Sequence, residues 1–202
     1  MIKSALKDES GQAILEFTLV VPLILLLMLG VIEVSYAVLD QHVVSKMTRE
    51  GSNLISRDTT MQDAAVAMSS MSTSPVNFND GSSKVIFSVV KKVATVGATN
   101  FNQPVLYQRM VFGAYPGSSM LNNTGGAFSG APSYTAINSD NDASLQVTNV
   151  PATMATGGML YITEIYTRHQ LITPLNRFGA AMPASLQFGI TLPTTLYSIA
   201  YF

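Results

Sequence analysis

The sequence predicts an α+β protein: a long N-terminal transmembrane and stem helix followed by a small globular domain with an antiparallel β-sheet. Three observations predict it. Thr18 to Ile32 form one apolar stretch. Beyond it Leu39, Val43 and Met47 recur at four-residue steps, a helical spacing. From residue 84 the period shortens to two, first in Val85, Phe87 and Val89.

Composition sets the limits. A chain of 202 residues is long enough for one ordinary domain plus an appended segment. Charged residues make up 11%, well under the usual share of about a quarter. A net charge of -1 supplies no basic footprint for nucleic acid, and the absence of cysteine removes any disulfide framework or thiolate zinc site. Positions 1–63 hold 13 charged residues and the rest of the chain only 10. The later region is instead rich in Ser, Thr, Asn and Gly, a surface suited to an exported β-rich domain.

The first element is a short polar leader, residues 1–11. The second, residues 12–57, is the membrane and stem helix. Between Glu16 and Glu33 lie 16 uncharged residues, fewer than the roughly 20 that cross a bilayer core. Adding Ala13 to Leu15 and Val34 to Leu39 gives a spanning helix with a carboxylate near each end. Pro22 removes one backbone donor inside it, so a kink or a locally opened turn is expected there, and Gly30 adds a second soft point. An ionised side chain deep in a bilayer costs roughly 2.5–3.5 kcal/mol on insertion scales, so Glu16 calls for a partner or a purpose.

Three readings of this segment compete. A cleaved secretory signal would use Lys3 and Lys7 as its basic region and Ser35-Tyr36-Ala37 as its cut site, but Asp8, Glu9, Glu16 and Glu33 spoil that pattern. A plain signal anchor explains the length and leaves Glu16 without a role. A leader cut after Gly11 uses every residue and makes Gln12 the mature N-terminus, with Glu16 its fifth residue.

Gly11, four residues, Glu16-Phe17 and a long apolar helix together resemble the class III signal peptide of type IV pilin-like proteins. With Pro22 and Glu33 inside the helix and Arg49-Glu50-Gly51 at its end, the segment is similar to the TadE-like family, minor pseudopilins of the tight-adherence (Tad/Flp, type IVc) pilus. The likeness covers roughly residues 11–55. It implies a cut after Gly11 by a prepilin peptidase, a membrane aspartic protease. It also implies that Glu16 positions the subunit during assembly, and that the partners are other pilin and pseudopilin subunits in the inner membrane. A neighbour's Gln12 amine could pair with the Glu16 carboxylate, offsetting its desolvation and fixing the stagger between helices. The simpler alternative leaves Glu16 at the headgroup level of a single anchor. Positive charges do not settle orientation, because Lys3 and Lys7 before the apolar run are nearly balanced by Lys46 and Arg49 after it. The pilin resemblance alone puts the C-terminal domain on the periplasmic or extracellular side.

The stem is expected to stop at Gly51-Ser-Asn. The exported α+β domain, residues 58–202, should open with a helix from Thr59 or Thr60 to about Met71, its apolar face formed by Ala64, Ala65, Met68 and Met71. Period-two alternation then predicts strands near 84–89, 106–111, 145–150, 159–168, 186–192 and 196–202, the last two a hairpin turning at Pro193-Thr-Thr. The Gly-, Ser-, Asn- and Pro-rich stretch 113–144 reads as a long loop, either a contact surface or a mobile insertion.

No catalytic constellation emerges. His42 and His169 are far apart in sequence and read as structural or surface residues. No Gly-x-Ser-x-Gly elbow occurs, and Gly125-Gly126 lacks the lysine and helix of a phosphate loop. Asn77 to Gly81 and Asn138 to Asp142 carry oxygen ligands without EF-hand spacing, which turn chemistry explains. Glu164 and Arg168 share one strand face and could form an ion pair. The sequence therefore predicts no enzyme, cofactor or metal. The rival assignments are a minor pilin of another type IV pilus or type II secretion system, and a membrane-anchored binding or adhesive domain.

Overall fold

A helix that must hold both a greasy surface and a packed stripe needs length, and α1 runs from Glu9 to Ser56 with Pro22 inside it. The computed structural model describes residues 9–57, 59–172 and 194–202. The chain divides into two compact units, Met1–Leu39 with Leu171–Leu192, and Asp40–Gln170 with Pro193–Phe202.

In the first unit, α1 exposes apolar side chains all round, from Ile14 and Phe17 to Val38 and Leu39. Its polar side chains turn inward to their own chain. Thr18 Oγ1 donates to the Ile14 carbonyl at 2.7 Å and Ser35 Oγ to that of Val31 at 2.8 Å. Such bonds to the preceding turn let hydroxyls sit in apolar surroundings without water.

In the second unit, α1 from Asp40 onward lays a stripe of Val44, Met47, Thr48, Gly51, Ser52 and Ile55 into the interior. The helix does not stop at Gly51. A Cβ there would lie 2.8 Å from Thr163 Cγ2 and 3.3 Å from the Phe87 ring, so the glycine lets the helix approach the sheet rather than ending it. The helix α2, Met61–Ser70, begins where Thr60 caps it: the Thr60 hydroxyl accepts from the Asp63 N–H at 3.1 Å and donates to the Asp63 carboxylate at 2.6 Å. Met61, Ala64, Ala65 and Met68 form its buried face, whereas Met71 is 46% exposed just past its end.

The sheet has four antiparallel strands in the order β2-β1-β3-β4: β1 Ser83–Lys92, β2 Pro104–Gly113, β3 Met159–Arg168 and β4 Thr195–Tyr201. One face carries Val85, Phe87, Val89 and Ile165 against α1 and α2. The other buries Leu106, Leu160 and Ile162 beneath Leu121, Leu145 and Val147. The 145–150 segment is therefore no strand. Asp142 caps a short 3-10 turn, Ala143–Leu145, and one bridge, Val105 to Gln146, is its link to the ladder. The expected strand at 186–192 and its hairpin turn lie outside the described residues.

Between β2 and just past that turn, the chain is tied down rather than free of structure. Ala136 N–H donates to the Tyr107 carbonyl at 2.7 Å, Arg109 N–H to Tyr134 at 3.2 Å and Val147 N–H to Pro104 at 3.0 Å, all along the outer edge of β2. At its far end, Asp140 meets Lys91 Nζ at 2.6 Å and accepts from Thr95, and these bonds hold its pKa below the ordinary carboxylate value.

Candidate functional site

The sequence singles out Gly11, Gln12, Glu16, Phe17, Pro22 and Glu33, and all six lie on α1. Gln12 and Glu16 meet: Gln12 Nε2 donates to Glu16 Oε1 at 3.1 Å. Four residues apart on a helix, the two side chains stand one turn above each other, and the amide offers the carboxylate a donor from its own chain. Phe17 is 70% exposed beside them, at the edge of the apolar surface. Pro22 is also exposed and leaves the Thr18 carbonyl without its helical donor.

Glu33 is not part of this cluster. Roughly 25 Å of ideal helix separates it from Glu16. It is buried at 2% exposure, and its Oε1 accepts the Ile172 N–H at 3.2 Å. Two carboxylates in one apolar helix thus have different surroundings. Glu16 accepts from a neighbouring side chain on an open surface, and Glu33 accepts from backbone within its own unit. Sequence spacing gives the Gln12–Glu16 contact directly, because residues four apart on a helix face each other. Nothing in the spacing reveals the Glu33–Ile172 contact.

The histidines separate as well. His42 is exposed on the helix. His169 is buried, with Nδ1 2.8 Å from the Asp40 carboxylate across 129 residues of sequence.

A polar network on the sheet centres on Glu164 and Arg109. Glu164, fully buried, does not pair with Arg168. It accepts from Ser119 Oγ at 2.5 Å, from the Met120 N–H at 2.8 Å and from the Tyr197 hydroxyl at 2.9 Å. Ser119 in turn accepts from Arg109 Nη2 at 3.2 Å, and Arg109 reaches Asn123 at 2.9 Å. Lys84 and the Tyr166 hydroxyl bind the carbonyls of Gly117 and Ser118. Gly117 lies so close that a Cβ would stand 2.7 Å from the Tyr166 ring. These contacts strap residues 117–123 across the sheet. Burial, then Glu164, pushes the Tyr197 and Tyr166 hydroxyls above the ordinary tyrosine value, while burial lowers that of Arg109 against the opposing pull of Glu164. The alternation of β3 does put Glu164 and Tyr166 on one face, but their loop partners carry no periodic signal. The network fixes a loop and, with every Glu164 oxygen engaged by the protein, has the character of a structural element. Among the described residues there is also no cluster of three metal-ligating side chains.

The N-terminal helix is long and apolar enough to cross a membrane, with its apolar stretch exposed, and this suggests membrane anchoring. A family model described as TadE-like protein matches residues 11–53. That stretch takes in Gly11, Glu16, Pro22, Glu33 and Gly51, and the match suggests a protein related to the Tad pilus. No curated protein and no solved structure matches the chain.

Proposed function

We propose that this chain is a minor pseudopilin, a structural subunit that serves assembly of a Tad/Flp-type pilus rather than catalysis. The observation that carries the reading is the Gly11, Glu16 and Pro22 set at the head of an exposed apolar helix, inside the segment similar to TadE-like proteins. In this reading α1 inserts in the inner membrane with the C-terminal domain outside the cytoplasm. Prepilin peptidase removes residues 1–11, and Gln12 gains a free amine.

Glu16 supplies the assembly chemistry. In the intact chain its carboxylate takes one hydrogen bond from Gln12. Carboxylate oxygens can accept about four, so capacity remains for a cation. The amine of a neighbouring subunit's Gln12 offers three N–H donors and a positive charge, which in low dielectric outcompetes a neutral amide. Pairing of that kind sets the axial offset between two helices. Phe17 and the surrounding Leu and Ile residues then supply apolar contact with other pilin helices, where packing rather than water release drives association.

Mass spectrometry of the protein from membranes of its native host tests the reading. The expected mature chain begins at Gln12; an intact Met1, or a start near Val38, counts against it. Gly11→Ala should abolish most of the processing. Glu16→Ala should leave processing largely intact and reduce co-purification with other pilin subunits by roughly tenfold, the loss of a charge-assisted contact of about 1.5 kcal/mol.

A further inference from the structure

The bond to be cut is helical. Gly11 and Gln12 both lie within α1, which starts at Glu9. In a helical ladder the Gly11 carbonyl accepts from the Leu15 N–H, and the Gln12 carbonyl from the Glu16 N–H. The Gln12 side chain adds a further tie to Glu16 across the same turn. A protease cleft takes its substrate extended, with the scissile carbonyl exposed to water on one face and to the attacking machinery on the other. A peptide wound into a helix presents neither.

We infer that local unwinding of α1 around Gly11 and Gln12 gates processing, so that the helix propensity of this turn, and not only the identity of Gly11, sets the rate. The inference rests on the processing reading above. In the opened turn, water adds to the Gly11 carbonyl carbon. The C–N bond to Gln12 breaks, the departing nitrogen takes a proton to become the new amine, and Gly11 leaves as a carboxylate. The peptidase supplies the acid and base; this chain supplies the opening. Gly11 favours that opening because it gains the most backbone freedom when a helix unwinds. The Gln12–Glu16 hydrogen bond opposes it and must be broken before the cut. Opening thus also frees the Glu16 oxygen that Gln12 engages, adding to the capacity a neighbour's amine can use, in the same event that creates its own chain's amine. When opening is fast relative to cleavage, the rate follows the population of the open form.

Substitutions at Ala13 separate this from recognition by side-chain size. Full-length chains with Ala13, Ala13→Ser or Ala13→Gly are expressed in membranes with prepilin peptidase, and the first-order rate of leader loss is followed by pulse-chase. Unwinding predicts the order Gly, then Ser, then Ala, with Ala13→Gly about fivefold and Ala13→Ser about twofold faster than wild type. Equal rates, or an order following size with Ala between Gly and Ser, overturn the inference while leaving a normal wild-type cut in place. Failure of the wild-type chain to be cut after Gly11 overturns the processing reading, and this inference with it.

Discussion

The two stretches of α1 are the same secondary structure with opposite surfaces. Up to Leu39 the helix shows apolar side chains on every side, with Leu19 at 73% and Val31 at 66% exposure. From Asp40 it keeps a single buried stripe and turns His42, Lys46, Arg49 and Glu50 outward. An amphipathic stripe is matched to a partner on one side and water on the other; an apolar cylinder is matched to neither and needs hydrocarbon or other helices around it. The difference teaches that a continuous helix can change solvent midway, and that the change is written in the side chains rather than in the backbone. The buried stripe is also built from smaller residues, Thr48, Gly51 and Ser52, because a sheet packed against a helix rewards close approach over bulk.

Four substitutions test that contrast, beginning with the largest effect. Phe87→Ala removes a fully buried ring under α1 and should destabilise the domain by about 3–5 kcal/mol, read by denaturant unfolding in micelles, with membrane retention unchanged. Leu26→Asp should do the reverse. It should cost about 2.5–3.5 kcal/mol of insertion, seen as loss from the membrane fraction, and leave the domain's unfolding midpoint where it was. If Leu26→Asp unfolds the domain equally, the two stretches are not independent. Gly51→Val should destabilise by about 1–3 kcal/mol, because its methyls meet Thr163 and Phe87. Smallest is an effect of pH. The fold raises the Tyr197 pKa, so the folded state keeps a proton that the unfolded chain gives up near pH 10. Stability from this group is complete below that value and is lost as pH rises beyond it. Tyr197→Phe should cost about 1 kcal/mol at neutral pH and flatten the alkaline decline of the midpoint.

Much of the architecture was legible because local chemistry and tertiary structure agree. The strand expected at 159–168 occupies those residues, and the second helix starts at its threonine cap. The readings that failed did so where packing overrode local rules. Gly51 looks like a terminator in isolation and is a contact point in the fold. The 145–150 alternation reports real burial of Leu145 and Val147, but burial against the face of a sheet, not pairing within it. In the candidate site, the Gln12–Glu16 contact within one helix follows from their four-residue spacing, although the expectation drawn from the sequence was pairing between neighbouring subunits. The Asp40–His169 and Glu33–Ile172 contacts join residues more than a hundred positions apart, and periodicity carries no information at that range.

The hydrogen bonds along the outer rim of β2 have a consequence for the company the domain keeps. A bare strand edge is an invitation to any extended polypeptide, and a domain that carried one would collect wrong partners. Here Tyr134, Ala136 and Val147 already occupy the groups of β2 through which a stranger would enter. A newcomer would have to evict the chain's own segment, buried side chain of Ala136 included, before forming its first bond. At this rim the domain is closed to chance partners.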